Sequence, residues 1–253
     1  MKIFVCIKQV PDTETKIKIN SDKTGIDTAG VKWVMNPYDE YAVEEAVKLK
    51  EKNPGATVFA VTVGPKPRAA DVLRTALAMG ADEGILVNAP EGIDPFSTAK
   101  ALAETIQAEG GAQLILTGKL AIDDNASSVG QMLAENLNAP HMTVVSKLSY
   151  EGEKITVERD IEGGAKEVAQ LMLPAVIGAN KGLNMPRYAS LPGIMKAKKK
   201  VLKEIDFSAL DAKTKMVNFS LPAEKPPVKI IPGDSAQQVS SLVQLLRDEA
   251  KVL

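Results

Sequence analysis

Up to about residue 140, short unbroken apolar runs alternate with segments whose apolar positions recur every three or four residues. Residues 2–8, Lys-Ile-Phe-Val-Cys-Ile-Lys, predict a buried first strand. A polar stretch follows from Pro11 to about Gly30. In Asn36-Pro37-Tyr38-Asp39 the asparagine predicts an N-cap whose side-chain oxygen takes an orphan backbone N–H. Pro37 suits the first helical position, where no N–H is needed, and Asp39 falls in the positive first turn. Ala42, Val43, Ala46, Val47 and Leu49 then form one apolar stripe, so the helix is expected to run to about Lys52 and stop at Asn53-Pro54-Gly55. Residues 57–63 predict a second buried strand. A helix is expected over about Arg68–Met79, with Val72, Leu73, Ala76 and Leu77 on one face and Gly80 at its end. A short strand at Gly84–Val87, a helix from Asp94-Pro95 to about Glu109, and a strand at Gln113–Thr117 follow. Gly118 to Ser128 reads as a loop of small and polar residues, and a helix continues to about Leu137.

Strands and helices alternating through short connections predict an α/β fold: a doubly wound, mainly parallel sheet with helices on both faces. From Met142 the period changes. Met142–Leu148 and Lys154–Arg159 flank Tyr150-Glu151-Gly152 as a hairpin. Val168–Leu173 and Ala175–Ala179 add strands that are expected to extend the sheet on one edge. From Leu183 regular structure is expected to fade. Prolines at 222, 226, 227 and 232, followed by Gly233, read as an extended arm. Val239, Leu242, Val243, Leu245 and Leu246 then space as an amphipathic helix, which needs a surface to lie on.

The chain has 253 residues, 45% of them hydrophobic, so a sizeable core is available; with aromatics at 4% it must be aliphatic. A net charge of −1 gives no global field for nucleic acid or anionic lipid. No run approaches the ~20 apolar residues of a membrane span, and no signal-peptide pattern opens the chain. The one cysteine, Cys6, allows no internal disulfide and favours a reducing compartment. With His141 the sole histidine, no His/Cys metal cluster can form, and no Gly-x-Ser-x-Gly elbow supports hydrolysis.

No Gly-x-Gly-x-x-Gly follows the first strand, and no Walker sequence occurs. The stretch Gly118-Lys-Leu-Ala-Ile-Asp-Asp-Asn-Ala-Ser-Ser-Val-Gly130 is an alternative anion site, since small residues let backbone N–H groups approach a phosphate at a helix start. On composition alone the plainer reading is a well-capped loop. Val157-Glu-Arg-Asp-Ile-Glu-Gly-Gly164 is a strand end with paired glycines. Lys196-Ala-Lys-Lys-Lys200 reads as a solvated charge run, or, with Tyr188, Leu191, Ile194 and Met195 beside it, as a docking site for an acidic partner.

These segments together resemble the beta subunit of electron-transfer flavoproteins. The resemblance rests on Leu183-Asn-Met-Pro-Arg-Tyr-Ala-Ser-Leu-Pro-Gly-Ile-Met-Lys-Ala-Lys-Lys-Lys200 and on Val157–Gly164. It rests also on Met35-Asn-Pro-Tyr, Ala42–Lys50, Leu73–Asp82 and Gly118–Met132, and covers residues 1–203 well. It implies an adenine-nucleotide alpha-hydrolase-like fold in three parts: a nucleotide-binding domain over 1–182, a partner recognition loop over 183–203, and an arm over 204–253 that packs on a larger alpha subunit. It implies AMP held in this chain without redox chemistry, and FAD in the complex, mainly on the alpha subunit. The chain is then an electron carrier subunit rather than a free-standing enzyme. Acyl-CoA or other flavin dehydrogenases supply its electrons and a quinone oxidoreductase takes them. Fatty acid oxidation is the expected setting, in the bacterial cytoplasm or, in a eukaryote, the mitochondrial matrix.

Residue by residue, the resemblance carries nucleotide contacts onto Cys6, Asn36, Val63, Ala121, Asp124, Ser127, Ser128 and Val129. It carries partner docking onto Arg187, Tyr188, Leu191, Pro192, Ile194, Met195, Lys196 and Lys199, with Leu191 as the inserted anchor and the two lysines at positions methylated in some relatives. Arg159 and Asp160 fall where the family contacts the flavin domain. No catalytic residue and no metal ligand is implied. Two alternatives stay open: a bifurcating relative with a second FAD in place of AMP, and a homodimeric nucleotide-binding module of the stress-protein type. The loop sequence Asp-Asn-Ala-Ser-Ser-Val-Gly-Gln is closer to the AMP type than to the Gly-Asp-Thr-Ala-Gln-Val-Gly-Pro pattern of the bifurcating branch.

Overall fold

The computed structural model describes residues 1–208 and 211–253. Its elements run, in chain order, β1 (Lys2–Cys6), β2 (Gln9–Pro11), β3 (Trp33–Met35), α1 (Pro37–Lys52), β4 (Thr57–Gly64), α2 (Lys66–Met79), β5 (Glu83–Asn88), α3 (Pro95–Ala108), β6 (Leu114–Gly118) and α4 (Val129–Asn136). They continue with β7 (His141–Tyr150), β8 (Lys154–Asp160), β9 (Lys166–Met172), β10 (Ala175–Ala179), α5 (Leu191–Lys199), β11 (Lys203–Asp206) and α6 (Ser235–Asp248). The chain divides into two compact units, Met1–Asn218 and Phe219–Leu253.

The first unit is an α/β fold around a nine-stranded sheet in the order β11-β5-β4-β1-β6-β10-β7-β8-β9. Pairing is parallel from β11 through β7, and β7, β8 and β9 are antiparallel. The alternation of β1 explains why its sequence is an unbroken apolar run. Ile3 and Val5 face one core layer, built with Ala42, Val43, Ala46 and Val47 of α1 and Val72, Leu73 and Ala76 of α2. Phe4 and Cys6 face the other, built with Ala99, Leu102 and Ile106 of α3 and Leu133 of α4. Both faces of the strand are covered, so neither parity can be polar. Phe4 and Phe59 stack across β1 and β4 with centroids 4.8 Å apart.

Two expectations change. Ala175–Ala179 does not lie on an edge: β10 inserts between β6 and β7, parallel to both. All five of its residues are buried, which an unalternating Ala-Val-Ile-Gly-Ala run permits and an exposed edge strand would not require. Nor does regular structure fade after Leu183. The basic segment forms α5 and the following residues pair with β5 as β11, on the opposite edge from β9.

The second unit is an extended stretch followed by α6. Asp234 and Gln237 close a reciprocal capping box at its start. Lys229 reaches Glu249 at 3.2 Å, and Gln238 Nε2 donates to the Ile231 carbonyl at 3.0 Å, so the stretch doubles back along its own helix.

Candidate functional site

Strand β1 pairs with β4 on one side and β6 on the other. The chain builds β4 and β5 outward in one direction and then returns to place β6 on the far side of β1. That reversal makes the carboxyl ends of β1 and β6 a topological switch point, where ligands of open parallel sheets bind. Lys8 follows one strand end, Gly118 ends the other, and the 118–128 loop starts there.

One carboxylate ties these ends together. Asp39, in the first turn of α1, accepts from the backbone N–H of Lys8 at 2.7 Å and of Gly118 at 3.0 Å. It also accepts from Asn36 Nδ2 at 2.8 Å. Burial pushes its carboxyl up to about 7, against the pull of those three donors. A Cβ on residue 118 would overlap Asp39 Oδ1 and lie 2.8 Å from Tyr38 Cβ, so only glycine permits this approach.

Asn36 is not the side-chain cap expected of it: it makes no capping bond to α1. It turns instead to the loop. Its Nδ2 donates to the Leu120 carbonyl at 2.8 Å as well as to Asp39, and its Oδ1 accepts from Ile122 N–H at 3.2 Å. Both side-chain protons are thus committed within the protein, and Asn36 shapes the loop. Further along, Lys8 Nζ lies 2.8 Å from Asp123 and 2.9 Å from Asp124. Asp124 also accepts from Ala126 N–H, and Ser127 Oγ donates to the Lys119 carbonyl at 2.9 Å. Asn125 and Ser127 both adopt positive φ, 54° and 49°, so the backbone turns sharply into α4.

The side chains of the expected nucleotide contacts are therefore largely engaged, and the backbone is what remains. The N–H groups of Ser127 and Ser128 have no acceptor among the described residues, and Ser128 gives α4 no side-chain cap. Val129 begins that helix, and a Cβ on Gly130 would press to 3.2 Å from Thr117 Oγ1. Ala121 is half-buried on the same loop and Val63 half-buried near the end of β4. Cys6 sits at the end of β1 with its thiol driven far up by burial, with Asp39 adding to the shift, so it is a neutral packing group and not a nucleophile. Sequence reasoning assigned Asp39 only to the helix dipole and missed its bridging role. The cue was available: Asp39 precedes Ala42 and Val43 by three and four positions and so lies on the buried stripe.

A second cluster lies on α5. Ser190 caps it, accepting from Gly193 N–H at 3.1 Å, and Ala197 is its buried contact. Tyr188 is 99% exposed, Leu191 77% and Met195 65%, an unusual density of bare apolar groups. Pro192 and Ile194 are exposed beside them, as are Lys196, Lys198 and Lys199. Arg187, expected among the docking cations, is held by its own chain. Its guanidinium pairs with Glu44 at 2.8 Å and Glu51 at 2.6 Å, raising its pKa further. The third cluster is the β8–β9 turn. Arg159 bridges to Glu167 across the strands at 2.6 Å, and exposed Asp160 sits 3.6 Å from Lys166. Gly163 and Gly164, at φ 74° and 76°, supply the left-handed turn between them.

Among the described residues there is no group of three His, Cys, Asp or Glu side chains arranged to hold a metal, and no helix long and apolar enough to cross a membrane. The electron transfer flavoprotein domain matches this chain over residues 23–210. The chain is 43% identical, with both sequences covered in full, to the electron transfer flavoprotein subunit beta of Bacillus subtilis. It is 44% identical over the full length of both to the mitochondrial subunit beta of Oryza sativa subsp. japonica. Against the Homo sapiens subunit beta the identity is 43%, covering 100% of this chain and 99% of that one.

Proposed function

This chain belongs to the electron transfer flavoprotein family, as a subunit of the beta type, and we propose that it is the nucleotide-holding, partner-docking half of a heterodimeric electron carrier. Its other half is an alpha-type subunit that holds most of the FAD. The carrier takes electrons from flavin dehydrogenases, acyl-CoA dehydrogenases among them, and delivers them to a quinone oxidoreductase. The flavin supplies the redox step when bound. This chain's own residues position and dock, and none of them reacts.

The observation that carries the reading is the loop at the β1/β6 switch point. Gly118 and Gly130 let the loop lie close against Asp39 and Thr117, and Ser127 and Ser128 offer free backbone N–H groups at an uncapped helix start. Such a cradle suits the phosphate of AMP. Ala121, Asp124 and Val129 would line it, with Cys6, Asn36 and Val63 closing the crevice behind. Asp124 and Asn36 act there through the backbone they hold in place. The bare apolar and cationic face of α5 supports docking of a partner with an acidic rim and an apolar pocket. Leu191 is its central anchor, Tyr188, Pro192, Ile194 and Met195 flank it, and Lys196 and Lys199 steer. Arg159 and Asp160 are the proposed contact to the flavin-bearing domain.

The test is composition. The chain is co-expressed with its alpha-type subunit, and the purified complex is denatured and its nucleotides quantified. One FAD and one AMP per heterodimer are expected. Two FAD and no AMP would replace the simple carrier by a bifurcating enzyme, and failure to form a complex would refute the subunit reading.

A further inference from the structure

Three acidic side chains on α1 face the segment that leads into α5. Two of them, Glu44 and Glu45, are buried, at 5% and 6% exposure. A buried carboxylate is costly unless it is paired and hydrogen-bonded. Lys48 of α1 lies 3.8 Å from Glu45; the hydrogen-bonding partners come from one short stretch of chain. Arg187 grips Glu44 with two guanidinium bonds, Nε to Oε2 at 2.8 Å and Nη2 to Oε1 at 3.0 Å, and its backbone N–H adds a third at 3.1 Å. The same guanidinium extends to Glu51 at 2.6 and 3.1 Å. Three residues earlier, Asn184 Nδ2 donates to Glu45 at 2.9 Å and to the Tyr41 carbonyl at 2.9 Å. At the other end of α5, Arg74 of α2 donates to the Ala197 and Lys200 carbonyls. The exposed residues of α5 therefore lie between two anchorages, with Gly193 packed against α2 between them.

We propose that Arg187 is a positioning residue: through Glu44 and Glu51 it staples the entry to α5 onto α1, and so presents Leu191 and the lysines to a partner without touching that partner. The inference rests on the docking role of α5 proposed above. The fork geometry matters, because a bidentate pair fixes orientation where a lysine ammonium would supply charge alone. Asn184 shares the task, and its contacts with Tyr41 and Glu45 survive when Arg187 is removed, so loss of the staple loosens the segment rather than unfolding the domain.

The experiment uses the heterodimer and a purified acyl-CoA dehydrogenase as electron donor. Hydrogen exchange is followed on wild type, Arg187→Ala, Arg187→Lys and the Glu44→Gln/Arg187→Ala double variant, which removes the stranded buried charge. Arg187→Ala is expected to speed exchange over Tyr188–Lys199 about tenfold, the order of one lost charge-assisted contact, and to leave Thr57–Gly64 unchanged. KM for the heterodimer should rise with the limiting rate unaltered, Arg187→Lys should recover only part of the loss, and the double variant should lose no more than Arg187→Ala. The dependence of rate on ionic strength should keep the wild-type slope in Arg187→Ala and flatten in Lys199→Ala. Unchanged exchange together with a flattened salt slope in Arg187→Ala would overturn the proposal and make Arg187 a partner contact. If exchange rises in Arg187→Ala while Leu191→Ala and Lys199→Ala transfer electrons normally, the staple stands and the docking role of α5 is what fails.

Discussion

The Asp94 carboxylate accepts from three backbone N–H groups: Ser97, at 2.9 Å, in the first turn of α3, and Lys213 and Thr214, at 2.7 and 3.1 Å, in the stretch beyond β11. Burial alone would raise it, but those donors prevail and hold it at about 2. The sign follows. A carboxyl with a lowered folded pKa stabilises fully above its unfolded value near 4 and loses that contribution as pH falls toward about 2. Urea midpoints measured at pH 7, 4 and 3 should therefore fall more steeply for wild type than for Asp94→Asn. At pH 7, Asp94→Ala should cost about 1–2 kcal/mol as a lost cap, and equal stability would show the bonds to be inconsequential. Gly118→Ala forces a Cβ onto Asp39 and Tyr38 and should cost about 1–3 kcal/mol, with a loss of copurified AMP. Full AMP occupancy in that variant would remove Asp39 from the loop's support. Asp94 was legible as a cap from its Asp-Pro signature. Asn36 was not, because the sequence shows a residue suited to capping but not the loop, more than 80 positions away, that competes for its side chain.

Among elements, the sheet strands and helices up to α4 were legible because their periodicity comes from two covered faces and one covered stripe, and burial writes itself into apolar spacing. The three-residue β2 and β3, which pair only with each other among the described residues, were not legible. The β7–β9 strands and α6 were legible too, from alternation and helical spacing; α5 and β11 were not, for the opposite reason. Helix α5 has one buried residue, Ala197, and β11 has none. What fixes α5 is the tie of Asn184 and Arg187 to α1 at its entry, the Ser190 cap, Arg74 on its last carbonyls, and a close approach to α2 through Gly193. What fixes β11 is backbone pairing to β5. Neither leaves an apolar pattern. β10 misled differently: a fully buried run resembles any other, and nothing local says that it enters the sheet interior. The approach at Gly193 is testable. A Cβ there would lie 2.6 Å from the Ala78 carbonyl oxygen, so Gly193→Ala should lift α5 from α2. The expected cost is about 1–3 kcal/mol, read as faster hydrogen exchange over Leu191–Lys199 with the β1 and β4 amides unmoved. Unchanged exchange would mean that α2 yields instead.

At the scale of the whole molecule the two units differ in kind. Met1–Asn218 holds both core layers, and every buried hydrophobic residue among the described ones belongs to it. Phe219–Leu253 has no fully buried residue, yet its helix is properly capped and carries an apolar stripe, with Val239 61%, Leu242 46% and Val243 37% exposed and Leu245 and Leu246 half-buried. A capped amphipathic helix needs a surface for its apolar stripe, and the alpha-type subunit is the proposed surface. This makes an asymmetric prediction for truncation after Asn218. Since no core residue is lost, the shortened chain should unfold cooperatively within a few degrees of the full one, where about 3 °C corresponds to ~1 kcal/mol at this size. Its affinity for the alpha-type subunit should instead fall at least about a hundredfold, the order of losing one or two buried anchors. Calorimetry and a pull-down titration together decide it. A melting temperature lowered by more than about 10 °C would make the C-terminal unit part of the domain's own stability. Unchanged affinity would leave its apolar stripe without the partner proposed for it.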